Sequence, residues 1–172
     1  MGLSIGESSS SGTKTFSQPP SEEHHQQSSQ VAAAAFVFSC SRDTQEECFD
    51  LALFGGTISL LRDKNRNALL IDVDTPIFLF NRQTNTVFGC FSALSTIQNN
   101  YDPSAWGGRN GVSKYPAQVV IDMAEWEAAD RPCVVLERKN PLYAACRKTA
   151  GGNWIGRADY LEIMHLLRNS NK

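Results

Sequence analysis

Trp106 is the side chain in this sequence with most to offer a ligand. It stands in the turn-rich run Asn99-Asn100-Tyr101-Asp102-Pro103-Ser104-Ala105-Trp106-Gly107-Gly108, where Asn, Asp, Pro and Gly each favour turns for their own reasons. On a loop of this kind an indole face can stack on a base or a cation. Folded inward, the same ring would plug one end of a barrel. Gln118, expected at an inward strand position, could hydrogen-bond a ligand or satisfy a backbone group.

Reactive chemistry has fewer candidates. His24 and His25 fall in a polar N-terminal stretch, and His165 sits on a helical pattern with no partner nucleophile in view. Cys40 and Cys48 are eight apart and Cys133 and Cys146 thirteen apart, with Cys90 between the pairs. None forms a CxxC, so neither a zinc site nor a disulfide framework is indicated, and reduced thiols in the cytosol or nucleus are expected. There is no Walker phosphate loop, dinucleotide turn, HExxH or Gly-x-Ser-x-Gly. Gly107-Gly108-Arg109-Asn110-Gly111 follows a loop and lacks the strand-to-helix setting that cradles phosphate. The sequence therefore predicts a non-catalytic protein with no metal and no cofactor.

The elements that would position these residues occupy part of the 172-residue chain, of which 41% is hydrophobic. Residues 1–30 are rich in Ser, Gln, Pro and Gly and cannot bury enough surface to offset ordering, so a disordered tail is expected there. Residues 31–169 would form one domain and 170–172 a short tail. Met1-Gly2-Leu3-Ser4-Ile5-Gly6 partly resembles an acylation signal on Gly2, but Gly6 replaces the usual Ser or Thr. No apolar run approaches the roughly 18–20 residues that span a bilayer. The net charge of −2 hides an uneven layout, because residues 131–172 carry eight basic side chains against three acidic ones.

The centre of the domain should be a β-hairpin. Ile77-Phe78-Leu79-Phe80-Asn81 and Val87-Phe88-Gly89-Cys90-Phe91-Ser92-Ala93 flank the polar Arg82-Gln83-Thr84-Asn85-Thr86. Both faces of the first run are apolar, which requires cover on both sides. Phe36 to Cys40 reads as an earlier strand. Thr44-Gln45-Glu46-Glu47 has capping-box spacing, and a helix over Thr44–Phe54 closed by Gly55-Gly56 is expected. Thr57 to Leu61 suits a short extended piece, Ala68 to Val73 another strand, and Tyr115 to Asp122 a further one. Cys133 to Leu136 is a short apolar stretch, Leu142 to Cys146 begins a helix ending near Gly151-Gly152, and Trp154 to Gly156 makes a last short strand. A final helix over about 159–168 buries Tyr160, Ile163, Met164 and Leu167 at i, i+3, i+4 and i+7.

Four blocks in order carry a family resemblance. Phe36-Val37-Phe38-Ser39-Cys40-Ser41-Arg42 with Thr44-Gln45-Glu46-Glu47-Cys48-Phe49 and Leu53-Phe54-Gly55 come first. Ile77 to Asn81, Val87 to Ala93, and Tyr115-Pro116-Ala117-Gln118-Val119 follow. Together they resemble a plant-type Development and Cell Death (DCD) domain, which implies a role in stress response, development and programmed cell death. Gly56-Thr57 stands where that family usually has Leu-Pro.

Residues 77–121 also resemble the order of features in EVE and YTH domains, PUA-like modules of which several hold a modified base in an aromatic pocket. That similarity implies a base stacked on Trp106, with Arg109 and Lys114 of the same loop, and Arg82 of the hairpin turn, holding phosphates. The expected architecture is mixed α/β (α+β): a small, bent, antiparallel-rich sheet or barrel, PUA-like, flanked by helices. The expected function is recognition of single-stranded or modified RNA by Trp106, Arg109, Lys114, Gln118 and Arg82. The alternative is a protein–protein interaction module in cell-death signalling.

Overall fold

The computed structural model describes residues 33–65, 67–148 and 151–170. The expectations for residues 1–30, including acylation of Gly2, lie outside these. Among the described residues eight strands make one curled, half-closed, antiparallel-rich sheet: β1 (Ala33–Cys40), β2 (Leu53–Gly56), β3 (Pro76–Asn81), β4 (Thr86–Ala93), β5 (Gln98–Asn99), β6 (Ala117–Asp122), β7 (Cys133–Val135) and β8 (Gly152–Gly156). Their order is β2-β6-β4-β3-β1-β8, with β5 beside β6 and β7 beside β4. Helices α1 (Arg42–Asp50), α2 (Ser59–Arg62), α3 (Ala124–Ala128), α4 (Pro141–Arg147) and α5 (Arg157–Ser170) flank it.

The hairpin forms as the alternating apolar runs require: β3 pairs antiparallel with β4, Phe80 opposite Val87 and Ile77 opposite Phe91. Between those pairs Phe78 faces two residues, Gly89 and Cys90, and such a bulge sharpens the curl of a sheet. A Cβ on Gly89 would lie 2.5 Å from the Phe78 ring, so only glycine fits there. β1 runs parallel to β3, Phe36 opposite Ile77. Both strands are buried on both faces. Phe36, Phe38, Ile77 and Leu79 enter one apolar cluster with Phe54, Phe91, Trp106 and Trp126. Ala35, Val37, Phe78 and Phe80 enter the other, beneath Leu142 and Cys146 of α4 and Ile163 and Leu167 of α5.

Several sequence expectations are corrected. The first helix starts at Arg42, with Ser41 as its N-cap and Thr44 as its third residue; the Ser41 N–H donates to Thr44 Oγ1 (3.1 Å). It ends at Asp50, and Ala52, at φ 45°, turns the chain. Gly55-Gly56 is therefore strand and not helix cap, because β2 pairs with β6, Leu53 opposite Val120 and Gly56 opposite Ala117. The expected extended piece at Thr57–Leu61 is instead a turn into α2, which begins at Ser59. The expected strand at Ala68–Val73 is a single 3-10 turn, Ala68–Leu70, followed by a second turn at Val73 and Asp74. α5 is longer than expected at both ends and takes in Ser170.

Candidate ligand-binding surface

The sheet does not close between β1 and β2. The registered pairs of β1 with β8 end at Phe38 opposite Gly152, and β2 pairs with β6 alone. Past Phe38 the chain continues through Ser39, Cys40 and Ser41 with a gap facing Gly55 to Thr57. In the core between the two strands Phe38 and Phe54, both fully buried, meet edge to face at 6.2 Å. Along the gap lies a recess of about 230 Å3 lined by Ser39, Cys40, Ser41, Gly55, Thr57, Arg82, Tyr115 and Gly151. Pockets that enclose a drug-sized ligand run to roughly 300–1,000 Å3, so this recess has room for one flat group.

Two open grooves continue from it. One shares Thr57 with the recess and runs past Asn99, Asn100 and Ser113 to Lys114. The next shares Lys114 and is lined by Trp106, Gly107, Arg109 and Val112. Arg82, Lys114 and Arg109 are thus spread along one continuous surface. Lys114 Nζ stands 5.4 Å from the centre of the Tyr115 ring, a separation at which cation and ring attract.

The loop carrying Trp106, Arg109 and Lys114 is tied down along its length. Asn100 donates from Nδ2 to the Gly111 carbonyl and accepts from the Ser113 N–H at Oδ1, both at 2.8 Å. Ser113 Oγ donates to the Ala105 carbonyl (3.1 Å) and accepts from the Tyr115 N–H (3.1 Å). The Trp106 N–H donates to Glu47 Oε1 of α1, which fixes Trp106 in a left-handed conformation, φ 53°, that non-glycine residues seldom adopt.

Of the five residues singled out in the sequence, Trp106, Arg109 and Lys114 meet in one groove, Arg82 lines the adjoining recess, and Gln118 reaches neither. The Gln118 amide is fully buried and spent on the loop backbone: Asp102 N–H donates to its Oε1 (2.7 Å), and its Nε2 donates to the Asp102 carbonyl (3.1 Å). The Trp106 side chain is turned inward, with 6% of the residue exposed. Its ring lies over Gly55, where a Cβ would come within 2.6 Å, and meets Tyr115 edge to face at 5.6 Å. The indole face is therefore occupied by protein. Its Nε1–H, buried without an acceptor in good geometry, lies against the Cys48 thiol.

Tyr115, Ser41 and Thr57 line the recess and were not foreseen as site residues. Tyr115 and Ser41 already stood in the family-like blocks. Their meeting depends on β2 being a strand, and the glycines of β2 had read as a helix end.

The thiols nearby are poor nucleophiles. Burial, helped by the neighbouring Cys48, pushes the Cys40 thiol far above its ordinary range. Burial also raises Cys48 to about 12, partly offset by the Trp106 indole. Cys90 rises to about 11 and Cys146 to about 12, chiefly by burial. Asp102 at the loop's start is held below the usual carboxylate range by the Ser104 hydroxyl and N–H. Among the described residues no group of three or more His, Cys, Asp or Glu is placed to hold a metal ion, and no helix is long and apolar enough to cross a membrane.

In architecture this is a mixed α/β half-barrel whose open seam carries one aromatic ring and Arg82, with Lys114 and Arg109 in the grooves beyond it. The chain belongs to the Development and cell death domain family, whose model matches residues 34–139. It is 36% identical over 89 residues to DCD domain-containing protein NRP-A of Glycine max, covering 50% of this chain and 23% of that protein. It is 35% identical over 89 residues to B2 protein of Daucus carota, covering 50% and 41%. DCD domain-containing protein NRP of Arabidopsis thaliana is 32% identical over 87 residues, covering 49% and 24%. The chain thus spans less than half the length of these curated relatives.

Proposed function

We propose that this domain recognises single-stranded RNA in the setting its family is named for, development and programmed cell death, with a base or modified base seated in the β1/β2 seam. The observation that carries the reading is the recess itself: an aromatic wall at Tyr115, hydroxyl-bearing Ser41 and Thr57, and Arg82 at its edge. A flat, polar-edged ring is the ligand such a lining suits, because base faces stack on aromatics while base edges need hydrogen bonds. Lys114 and Arg109 follow at intervals along the groove, where the phosphates of a strand leaving the recess would pass. Trp106 acts from behind, holding Tyr115 and β2 in place. The same reading puts the protein in the cytosol or nucleus, and its five unpaired cysteines support a reducing compartment.

Binding of single-stranded RNA pools at a series of salt concentrations tests this. Three phosphate contacts give a log–log salt slope of about −2, and Arg109→Ala or Lys114→Ala each makes it shallower by about 0.7. Tyr115→Ala lowers affinity by roughly 1–3 kcal/mol, the worth of one stacked base, with the slope unchanged. Absence of binding at low salt overturns the reading, as does a slope indifferent to both cations.

A further inference from the structure

A separate cavity of about 260 Å3 is lined by α3, α5 and the bulge of β4, and it shares no residue with the seam recess or its two grooves. Gly89 and Cys90 come from the bulge, Trp126 from α3, and Met164 and Leu167 from α5. Trp126 and Leu167 are buried, Cys90 and Met164 half-buried. Glu125 of α3 and Arg168 of α5 line the same cavity and are exposed. The buried part of the lining is thus apolar, and the charges stand towards solvent. At this size the cavity falls below the roughly 300–1,000 Å3 of sites for drug-sized ligands.

The lining is held in place before any ligand arrives. The Pro132 carbonyl accepts from the Trp126 Nε1–H (3.0 Å) and from the Gly89 N–H (3.4 Å), which ties the turn after α3 to the bulge. Within that turn Asp130 and Arg131 both take left-handed backbone, φ 62° and 55°. Strain of this kind persists where the surroundings enforce it and clusters at ligand sites. Of the two glutamates on α3, Glu127 is taken by Arg131 (3.2 Å). Among the described residues neither Glu125 nor Arg168 has an ion-pair partner, and they do not pair with each other although both line one cavity. A ligand carrying only an anion would meet Glu125, and one carrying only a cation would meet Arg168. Charge complementarity therefore selects a ligand that carries both.

We propose that this cavity binds a free apolar α-amino acid, its side chain against Trp126, Met164 and Leu167, its ammonium on Glu125 and its carboxylate on Arg168. Such a molecule joins both charges to one carbon at the end of an apolar body, which is the order of surfaces the lining presents. The inference is independent of what the seam recess binds, since the two sites have no residue in common.

Calorimetric titration of the full chain with L-phenylalanine, with its N-acetyl derivative and with its amide tests it. The free amino acid binds about tenfold or more tightly than either derivative, the loss expected for one charge-assisted bond. Glu125→Gln removes the preference over the N-acetyl derivative, and Arg168→Gln removes the preference over the amide. Both side chains are exposed, so thermal unfolding stays unchanged. Ala129→Phe, at the cavity's edge, fills it and weakens binding of all three probes. No binding of L-phenylalanine at millimolar concentration, preferences that survive both charge substitutions, or binding indifferent to Ala129→Phe each overturns the proposal. So does uncharged N-acetyl-phenylalaninamide binding as tightly as the free amino acid, which would mark the cavity as a site for a segment of another protein.

Discussion

Gln118 and Asp102 lie sixteen residues apart, yet the amide of one occupies both the N–H and the carbonyl of the other. This double bond holds the first turn of the cationic loop against β6. Replacing the amide by an apolar group of similar shape leaves both backbone groups without their partner, at a cost of roughly 1–3 kcal/mol. Gln118→Leu therefore lowers the urea midpoint accordingly and weakens RNA binding without changing its salt slope, since no cation is removed. The sequence showed Gln118 as an inward residue that either met a ligand or satisfied the backbone; which of these it did depended on a loop whose path no local pattern specifies. Trp106 is a similar case. Its glycine-flanked setting left a binding platform and an inward plug both open, and the ring turned inward because Gly55, on another strand, leaves the space it fills.

At the scale of elements, α1 shows what short-range patterns convey and where they stop. Polar residues capable of capping were legible at Thr44 to Glu47, but the helix begins earlier, at Arg42. The cap itself is Ser41, whose N–H is satisfied by Thr44 Oγ1. Thr44→Val keeps the side-chain shape and removes that acceptor, costing about 0.5–1.5 kcal/mol and measurable as a matching drop in stability to urea. The helix end was misread for a definite reason. Leu53 to Gly56 continues an apolar, glycine-ended run that suits a helix terminus, and its competing partner, Ala117 to Val120, lies more than sixty residues away. Pairing with β6 outweighs the local preference. The run at Ala68–Val73 was misread for the opposite reason: it is apolar enough for a strand, but among the described residues it pairs with none and forms a 3-10 turn.

For the whole molecule, the decisive fact is that β1 and β3 are shared. Adjacent residues of each strand point into different apolar clusters, Phe38 into one and Val37 into the other, so neither cluster can open while the other stays packed. Cys48 lies in the first and Cys146 in the second, both buried. Alkylation in increasing urea should expose these two thiols at the same midpoint, and clearly separate midpoints would mean that the two faces unfold independently. Exposed Cys133 reacts at all urea concentrations and serves as an internal reference. The sequence alone determined the family, the central hairpin, the two-faced burial of its strands and the closing helix. Each of these rests on periodicity or on blocks of residues close together in the chain. The tertiary structure decided where the sheet stays open and which aromatic lines that opening, because each depends on strand partners that are distant in sequence and absent from any local pattern.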